Sequence, residues 1–148
     1  MRRGRPRKIC MKPLIYKGLR KNLNRSEWVI SDEIKQSYSQ IRLLAIENDT
    51  YAWVQIEDGT LCRGSEAKDT LGKRIYEKDH IEFDCKSIQE KPMVGEVYYS
   101  VDKYQWRCKA INQQNKQNDA VLDFDLAFVV NNGNARVVGN RLEGYEYE

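Results

Sequence analysis

A chain of 148 residues has the length of one ordinary domain, and its 41% of apolar residues, many aromatic or β-branched, exclude a disordered chain. No apolar stretch is long enough to span a membrane, and the basic start is not followed by the apolar segment of a secretory signal. Four scattered cysteines and a single histidine argue against a zinc site and a dense disulfide framework. We therefore expect a reduced, cytoplasmic protein with no membrane contact, no metal and no cofactor.

The positive charge is concentrated at the start of the chain. Residues 1–10 hold five basic residues and no acidic one, which leaves 20 of the 25 basic residues against all 22 acidic residues, a balance of −2. We expect a flexible basic arm over residues 1–10 and a single folded domain over residues 11–148. Any attraction to nucleic acid is expected to come chiefly from the arm. The candidate DNA-binding residues are Arg2, Arg3, Gly4, Arg5, Pro6, Arg7 and Lys8.

Within the arm, Arg3-Gly4-Arg5-Pro6 resembles the core of the AT-hook, a short DNA-binding segment. Glycine leaves the groove floor open to the backbone, proline favours an extended chain, and arginines suit the negative potential of a narrow A/T-rich minor groove. The alternative is a solvated basic tail that attracts phosphate groups regardless of sequence.

The first part of the domain carries two competing patterns. Residues 11–16 read as extended, and residues 18–26 read as a polar turn region. Beyond Ser31, apolar residues recur at spacings of four, three and four, which favours a short amphipathic helix of about two turns. The residues at this spacing are Ile34, Tyr38, Ile41 and Ala45. The competing interpretation makes residues 41–46 a strand that pairs, across residues 47–49, with a strand over residues 51–56.

The middle of the chain predicts further strands and turns. Asp58-Gly59 and Gly72 mark turns. Alternation from His80 to Cys85 predicts a strand with one buried face, on which Ile81 and Phe83 lie. Residues 95–101 and 104–110 predict two strands around a turn. The aromatic residues of this pair are expected to be core or cross-strand contacts rather than a base-stacking surface; they are Tyr98, Tyr99, Tyr104 and Trp106.

The last third predicts a loop and a hairpin. Residues 112–119 are polar and predict an exposed loop. Residues 122–130 show the clearest period-two alternation in the chain, and Asn132-Gly133 then supplies a turn, so residues 136–138 are expected to return as the partner strand. The fold class is therefore mainly β with one short helix, either a small SH3-like barrel or a twisted antiparallel sheet.

Several segments, in order along the chain, resemble the YopX family of phage and prophage proteins. The central segment, residues 68–81, reads KDTLGKRIYEKDHI and is similar to a signature in which a Lys-Asp turn with glycine leads to Ile-Tyr-Glu, then Gly-Asp and a strand. Val137-Val138-Gly139-Asn140, followed by Glu143, resembles the closing motif of that family. Tyr16-Lys17-Gly18-Leu19-Arg20 and Glu27-Trp28-Val29 are similar to its opening pieces.

The resemblance implies a β-rich fold and a setting in a bacterial host cell, and it implies no established activity. This sequence departs from the family pattern at Lys78, where glycine is usual, and at Glu66, where a Thr-Gly pair would end. A turn with positive φ at either position would be strained by these side chains. The usual proline near the C-terminus is replaced by the Gly144-Tyr145 stretch.

The motif residues of this resemblance read as structural. Glycine allows a tight turn, the Ile-Tyr pair anchors the segment in the core, and an aspartate can cap the turn before a strand. The expected structural motif residues are Asp69, Gly72, Ile75, Tyr76, Asp79, Gly139 and Asn140.

Catalytic patterns are sparse. Asp84-Cys85-Lys86 fits half of a metal-dependent nuclease site, with Asp79 or Asp69 as a further ligand for Mg²⁺, but a solvated strand face would carry the same charges. A catalytic pair of Cys85 as nucleophile and His80 as base is disfavoured, because an odd separation of five residues places the two side chains on opposite faces of a strand. His80 alone is expected to be a surface or turn residue.

We therefore expect a phage or prophage accessory protein that is not an enzyme and touches DNA through its arm. The alternative is a protein–protein interaction module that engages a host or phage factor through exposed loops such as residues 112–119. A metal-dependent nuclease is the third hypothesis.

Overall fold

The structure is a computed structural model that describes residues 14–21, 27–37, 40–112 and 122–143. This part of the chain is mostly β, with one short α-helix, so the β-rich class expected from the sequence is confirmed. The basic arm and most of the loop over residues 112–119 lie outside the described residues. None of the helices within the described ranges is long and apolar enough to cross a membrane.

The strands are short and all their pairings are antiparallel. In chain order the elements are β1 (Tyr16–Leu19), β2 (Trp28–Ser31), β3 (Ile34–Ser37), β4 (Gln40–Glu47), β5 (Thr50–Gln55), β6 (Cys62–Lys68), β7 (Arg74–Tyr76), β8 (Asp79–Phe83), β9 (Met93–Ser100), β10 (Gln105–Ala110), β11 (Asp123–Asp125), α1 (Leu126–Asn132), β12 (Arg136–Asn140) and a final 3₁₀ turn (Arg141–Glu143).

The described strands form three separate sheets rather than one closed barrel, so the SH3-like alternative is wrong for this part of the chain. One sheet has the order β2-β1-β6-β7, the second has the order β11-β10-β9-β8-β12, and the third is the meander β3-β4-β5.

The helix expected around residues 34–45 is wrong, because this stretch forms β3 and β4. Its competitor is confirmed: β4 pairs with β5, and Leu43 lies directly opposite Val54, both buried. Asn48 and Asp49 connect the strands with φ of 52° and 65°, the left-handed conformation that favours a tight hairpin. Sheet burial on one face therefore outweighs a helical spacing that rested on four residues.

The strand expected over residues 122–130 is largely wrong, because it ends at Asp125 and continues as helix α1. The carboxylate of Asp125 caps this helix by accepting a hydrogen bond from the backbone N–H of Ala127 at 3.1 Å. Leu126 and Val129, three residues apart, are buried on one side. The helix buries Val129, which the alternating pattern leaves on the opposite face of a strand, and the Asp125 cap marks where the strand ends and the helix begins.

The hairpin expected between residues 122–130 and 136–138 is also wrong. Gly133 has a φ of −105°, and the positive φ after the helix belongs to Asn134, at 53°. Strand β12 pairs with β8, a partner more than 50 residues earlier in the chain.

Other elements agree with the sequence. Gly59 and Gly72 have φ of 78° and 83°, as their turns require. Strands β9 and β10 pair directly, with Tyr99 opposite Trp106 and their rings edge to face at 5.5 Å. Tyr104 is the exception among these aromatic residues, because it lies in the turn before β10 and is exposed. Ile81 and Phe83 are buried, as expected for β8.

Two clusters of buried apolar side chains hold the fold together. The larger lies under the five-stranded sheet, the β6–β7 hairpin and helix α1, and it includes Phe83 and Met93. The smaller joins β2 to the hairpin β4–β5, with Leu43 and Ile56 at its centre. Strand β1 approaches this smaller cluster closely, because a Cβ atom on Gly18 would lie 2.4 Å from Cδ1 of Ile56.

Candidate functional site

The segments that carry the family resemblance meet around Asp79, the first residue of β8. The carboxylate of Asp79 is almost fully buried and accepts a hydrogen bond from Nζ of Lys17 at 2.9 Å. Nδ2 of Asn140 donates to the same oxygen at 2.8 Å, and the backbone N–H of Tyr76 donates to the other oxygen at 2.8 Å. One carboxylate therefore joins β1, β7, β8 and β12.

Aromatic rings complete the surroundings of the Lys17 ammonium. Its Nζ lies 4.3 Å from the ring centre of Trp28 and 4.7 Å from that of Tyr76. The indole N–H of Trp28 in turn donates to the carboxylate of Glu143. Burial of a charged amine is costly, and here an anion and two ring faces offset that cost.

A cleft of about 220 Å³ opens beside this ion pair, and we call it the Lys17 cleft. Lys73 and Arg74 bring basic groups to it, while Ile30 and Val137 contribute apolar surface. Three basic and two acidic side chains line it, so its charge is slightly positive. The cleft suits a ligand that combines an anionic group with an apolar one.

Asp69 connects the turn before β7 to strand β12, close to the Lys17 cleft. One of its carboxylate oxygens accepts from the backbone N–H groups of Leu71 and Lys73, and the other accepts from that of Val137 at 3.0 Å. Burial acts to raise the pKa of Asp69, but the three N–H donors, with Val137 first, and the Lys73 charge outweigh it and lower the pKa below its usual value. The turn that contains Gly72 is thereby tied to β12.

The departures from the family pattern have different structural settings. Lys78 lies in the turn between β7 and β8 with a φ of 70°, so a lysine occupies a left-handed position there. Glu66 lies within β6 and is not among the described residues with positive φ.

The nuclease-like residues do not converge. Asp84 follows β8, and Nζ of Lys86 donates to the carbonyl oxygen of Glu90 at 3.1 Å. Asp79 is engaged with Lys17, and Asp69 is engaged with its own turn. Within the described ranges, no group of three or more His, Cys, Asp or Glu side chains is arranged to hold a metal ion.

The expectation that His80 lies at the surface or in a turn is wrong. Its side chain is fully buried, because β8 lies between β9 and β12 in the five-stranded sheet. Nε2 of His80 lies 3.0 Å from a carboxylate oxygen of Glu96, and the other oxygen of Glu96 pairs with Arg141.

Three described cysteines are free thiols. Burial raises the pKa of Cys62 to about 11 and that of Cys108 to about 12, so both remain protonated and unreactive at neutral pH. Cys85 is partly exposed, with its sulfur 3.7 Å from the hydroxyl oxygen of Ser87.

Every arginine in the described part of the chain has an internal acceptor. Most face a carboxylate: the pairs are Arg20 with Glu27 and Glu47, Arg63 with Glu77, Arg107 with Asp123, Arg136 with Glu82, and Arg141 with Glu96. Arg42 and Arg74 differ, because they donate to neutral oxygens, those of the Gln40 side chain and of the Ser65 backbone.

Sequence reasoning selected Asp79, Tyr76 and Asn140 but overlooked the basic side of the site. Lys17, Lys73 and Arg74 look like ordinary solvated residues in the sequence. No local signal distinguishes a lysine that folding will bury against an aspartate 62 residues away. The arm residues 2–8 are not among the residues that the structure describes.

Comparisons with family models, with curated proteins and with solved structures found no match for this chain.

Proposed function

We propose that this is a non-enzymatic accessory protein of a phage or prophage that binds DNA through its basic arm. The observation that carries the proposal is the segregation of charge along the sequence. The four arginines of the arm stand in a stretch of ten residues without an acid, whereas the arginines in the described part of the chain have internal acceptors, mostly carboxylates. A local excess of positive charge in the sequence is what the DNA backbone attracts.

The engagement of Asp69 and Asp79 supports a structural rather than a catalytic role for the signature. Each carboxylate accepts three hydrogen bonds from protein donors. Recruiting either of them to a metal ion or a substrate would leave buried donors unsatisfied, at a cost of about 1–3 kcal/mol for each donor.

The phage setting rests on the resemblance to the YopX family. The three segments that carry this resemblance, at the start, middle and end of the domain, all contribute residues to the cleft beside Asp79. This supports the resemblance, because segments that pack against one another are expected to occur together in one family of sequences. The AT-hook resemblance of residues 3–6 further specifies the DNA as an A/T-rich minor groove.

Electrophoretic mobility shifts with A/T-rich and G/C-rich duplexes test the arm. We expect the full chain to bind, and the double variant Arg3→Gln, Arg5→Gln to bind at least about tenfold more weakly, because two phosphate contacts are lost. The slope of log K against log salt should fall by about 1.8. A matched control is Lys68→Gln, Lys103→Gln, which removes two exposed charges from the folded part.

Equal binding by wild type and the arm variant would remove this proposal. Binding without preference for A/T-rich duplex would retain the arm and replace the minor-groove mode with simple phosphate attraction.

A protein-interaction module is the second candidate, and the Lys17 cleft favours it. Arg74 donates only to a neutral oxygen, Lys73 is exposed beside it, and Ile30 is 57% exposed. Together they suit an acidic peptide with an apolar side chain from a host or phage protein. Capture from host lysate should recover a partner that Lys73→Glu no longer binds and that the control Lys103→Glu still binds. If both variants still capture the partner, the Lys17 cleft is not its binding site.

A further inference from the structure

The meander β3-β4-β5 exposes aromatic and apolar side chains on its outward face. Tyr51 is 72% exposed, Ile46 is 65% exposed and Trp53 is 40% exposed. Leu43 and Val54 cover the opposite face and belong to the smaller buried cluster. The outward face is therefore displayed by a sheet whose other side is anchored in the core.

The strand register divides this outward face into two halves. Ile46 lies opposite Tyr51 and Leu44 lies opposite Trp53, which makes an apolar half. Arg42 lies between Lys35 on one neighbouring strand and Gln55 on the other, which makes a cationic half. The outward positions of the three strands carry no acidic residue.

The opposed pair of Lys35 and Arg42 points to an anion. Like charges directly opposite each other on neighbouring strands destabilise a sheet. Neither side chain forms an ion pair with a described carboxylate, since Arg42 donates to Gln40 and the Lys35 ammonium lies 5.3 Å from the ring centre of Trp53. A bound anionic group would relieve this repulsion.

We propose that the outward face binds single-stranded nucleic acid, with bases on Trp53 and Tyr51 and backbone phosphates beside Lys35 and Arg42. This goes beyond the function proposed for the arm, which takes duplex DNA. Aromatic rings beside basic groups are the elements that single-strand binding uses, because every base offers a ring face and every nucleotide a negative charge. Duplex DNA suits this face poorly, since its bases are already stacked on one another.

The spacing of the two rings specifies how the strand lies. Residues two apart on a strand are separated by about 6.6 Å, roughly twice the 3.4 Å between stacked nucleotides. Successive bases on Tyr51 and Trp53 are therefore unstacked from each other, and the bound strand is extended.

Fluorescence anisotropy of labelled oligo(dT) of 15 nucleotides, with the full chain, tests the proposal. We expect Trp53→Ala and Tyr51→Ala each to weaken binding about tenfold, because each removes one stacked base. Trp53→Phe, which keeps a ring, should retain most of the affinity. Lys35→Glu should weaken binding and reduce its salt dependence.

Matched controls come from the turn between β9 and β10. Tyr104 is 81% exposed, and Tyr104→Ala together with Lys103→Glu removes the same residue types without touching the outward face. The arm variant Arg3→Gln, Arg5→Gln separates the two proposals: the outward-face variants should weaken oligo(dT) binding about tenfold and leave duplex binding unchanged, and the arm variant should weaken duplex binding.

Wild-type affinity for oligo(dT) in folded Trp53→Ala and Tyr51→Ala would overturn the proposal. A change from dimer to monomer by light scattering in these variants, with oligo(dT) binding unchanged, would instead identify the outward face as a contact between copies of the chain.

Discussion

At the scale of single residues, Asp79 contributes more than its sequence context suggests. The sequence predicted a cap for a turn, and the structure adds a buried ion pair with Lys17 and a hydrogen bond from Asn140. A buried ion pair is weak evidence of net stabilisation, because two desolvated charges offset much of their attraction. Removing one partner, in contrast, leaves the other uncompensated.

Asp79→Asn is expected to lower the free energy of unfolding by about 3–5 kcal/mol, because the ammonium of Lys17 would remain buried without its anion. Urea denaturation followed by circular dichroism measures the change. The control Asp102→Asn, at an exposed turn position, should stay within about 0.5 kcal/mol of wild type. A variant as stable as this control would show that Lys17 reaches solvent when its partner is lost.

Some properties of single residues could be predicted from the sequence, and others could not. Gly59 and Gly72 were identifiable because their conformation is a local property of the residue. His80 was not, since its burial depends on strands β9 and β12 closing over β8 from distant parts of the chain. The basic residues of the Lys17 cleft were missed for the same reason.

At the scale of elements, the wrongly predicted helix and the wrongly predicted strand both came from short patterns that fit two structures. Four apolar residues at helical spacing suggested a helix where β3 and β4 form, and alternation suggested a strand where α1 forms. For β3 and β4, burial of one sheet face together with the Asn48–Asp49 turn outweighed the helical spacing, and for α1 the Asp125 cap favoured the helix. Apolar periodicity over two turns is therefore weaker than sheet burial and cap chemistry in this chain.

The hydrogen bonds of the Asp69 carboxylate make the free energy of unfolding depend on pH. Its pKa is lower in the folded than in the unfolded state, so its stabilisation is fully present above about pH 4 and is lost as the pH falls through the folded pKa. We expect Asp69→Asn to lower stability by about 1–3 kcal/mol at pH 7, since an amide N–H₂ would face the N–H of Val137.

Urea denaturation at pH 7, 5, 4 and 3 measures this effect. The difference between wild type and Asp69→Asn should shrink toward low pH, while the control Asp58→Asn, in an exposed turn, should follow wild type. A constant difference across this range would contradict the role given to the charge of Asp69.

At the scale of the whole molecule, the β-rich class followed from composition and alternation, but the strand order did not. Pairings such as β12 with β8 and β1 with β6 join segments dozens of residues apart. Each costs loop entropy that only the final packing offsets, so local signals carry little information about them. The division into three sheets is likewise a property of the packed chain.

The unequal size of the two buried clusters predicts unequal local stability. Amides of β9 and β10, in the middle of the five-stranded sheet, should exchange with solvent deuterium about tenfold or more slowly than those of β4 and β5. Hydrogen exchange followed by mass spectrometry measures both rates in one sample. Equal protection would mean that the two clusters open together.

The left-handed turn at Lys78 has a consequence for heat tolerance. Its backbone is held on both sides, because its N–H donates to Val97 at 2.8 Å and its carbonyl accepts from Arg141 at 2.9 Å, so the residue cannot relax to an ordinary φ. A side chain in this conformation costs about 1 kcal/mol relative to glycine. We therefore expect this turn to lower the melting temperature by a few degrees relative to the same backbone with glycine at position 78.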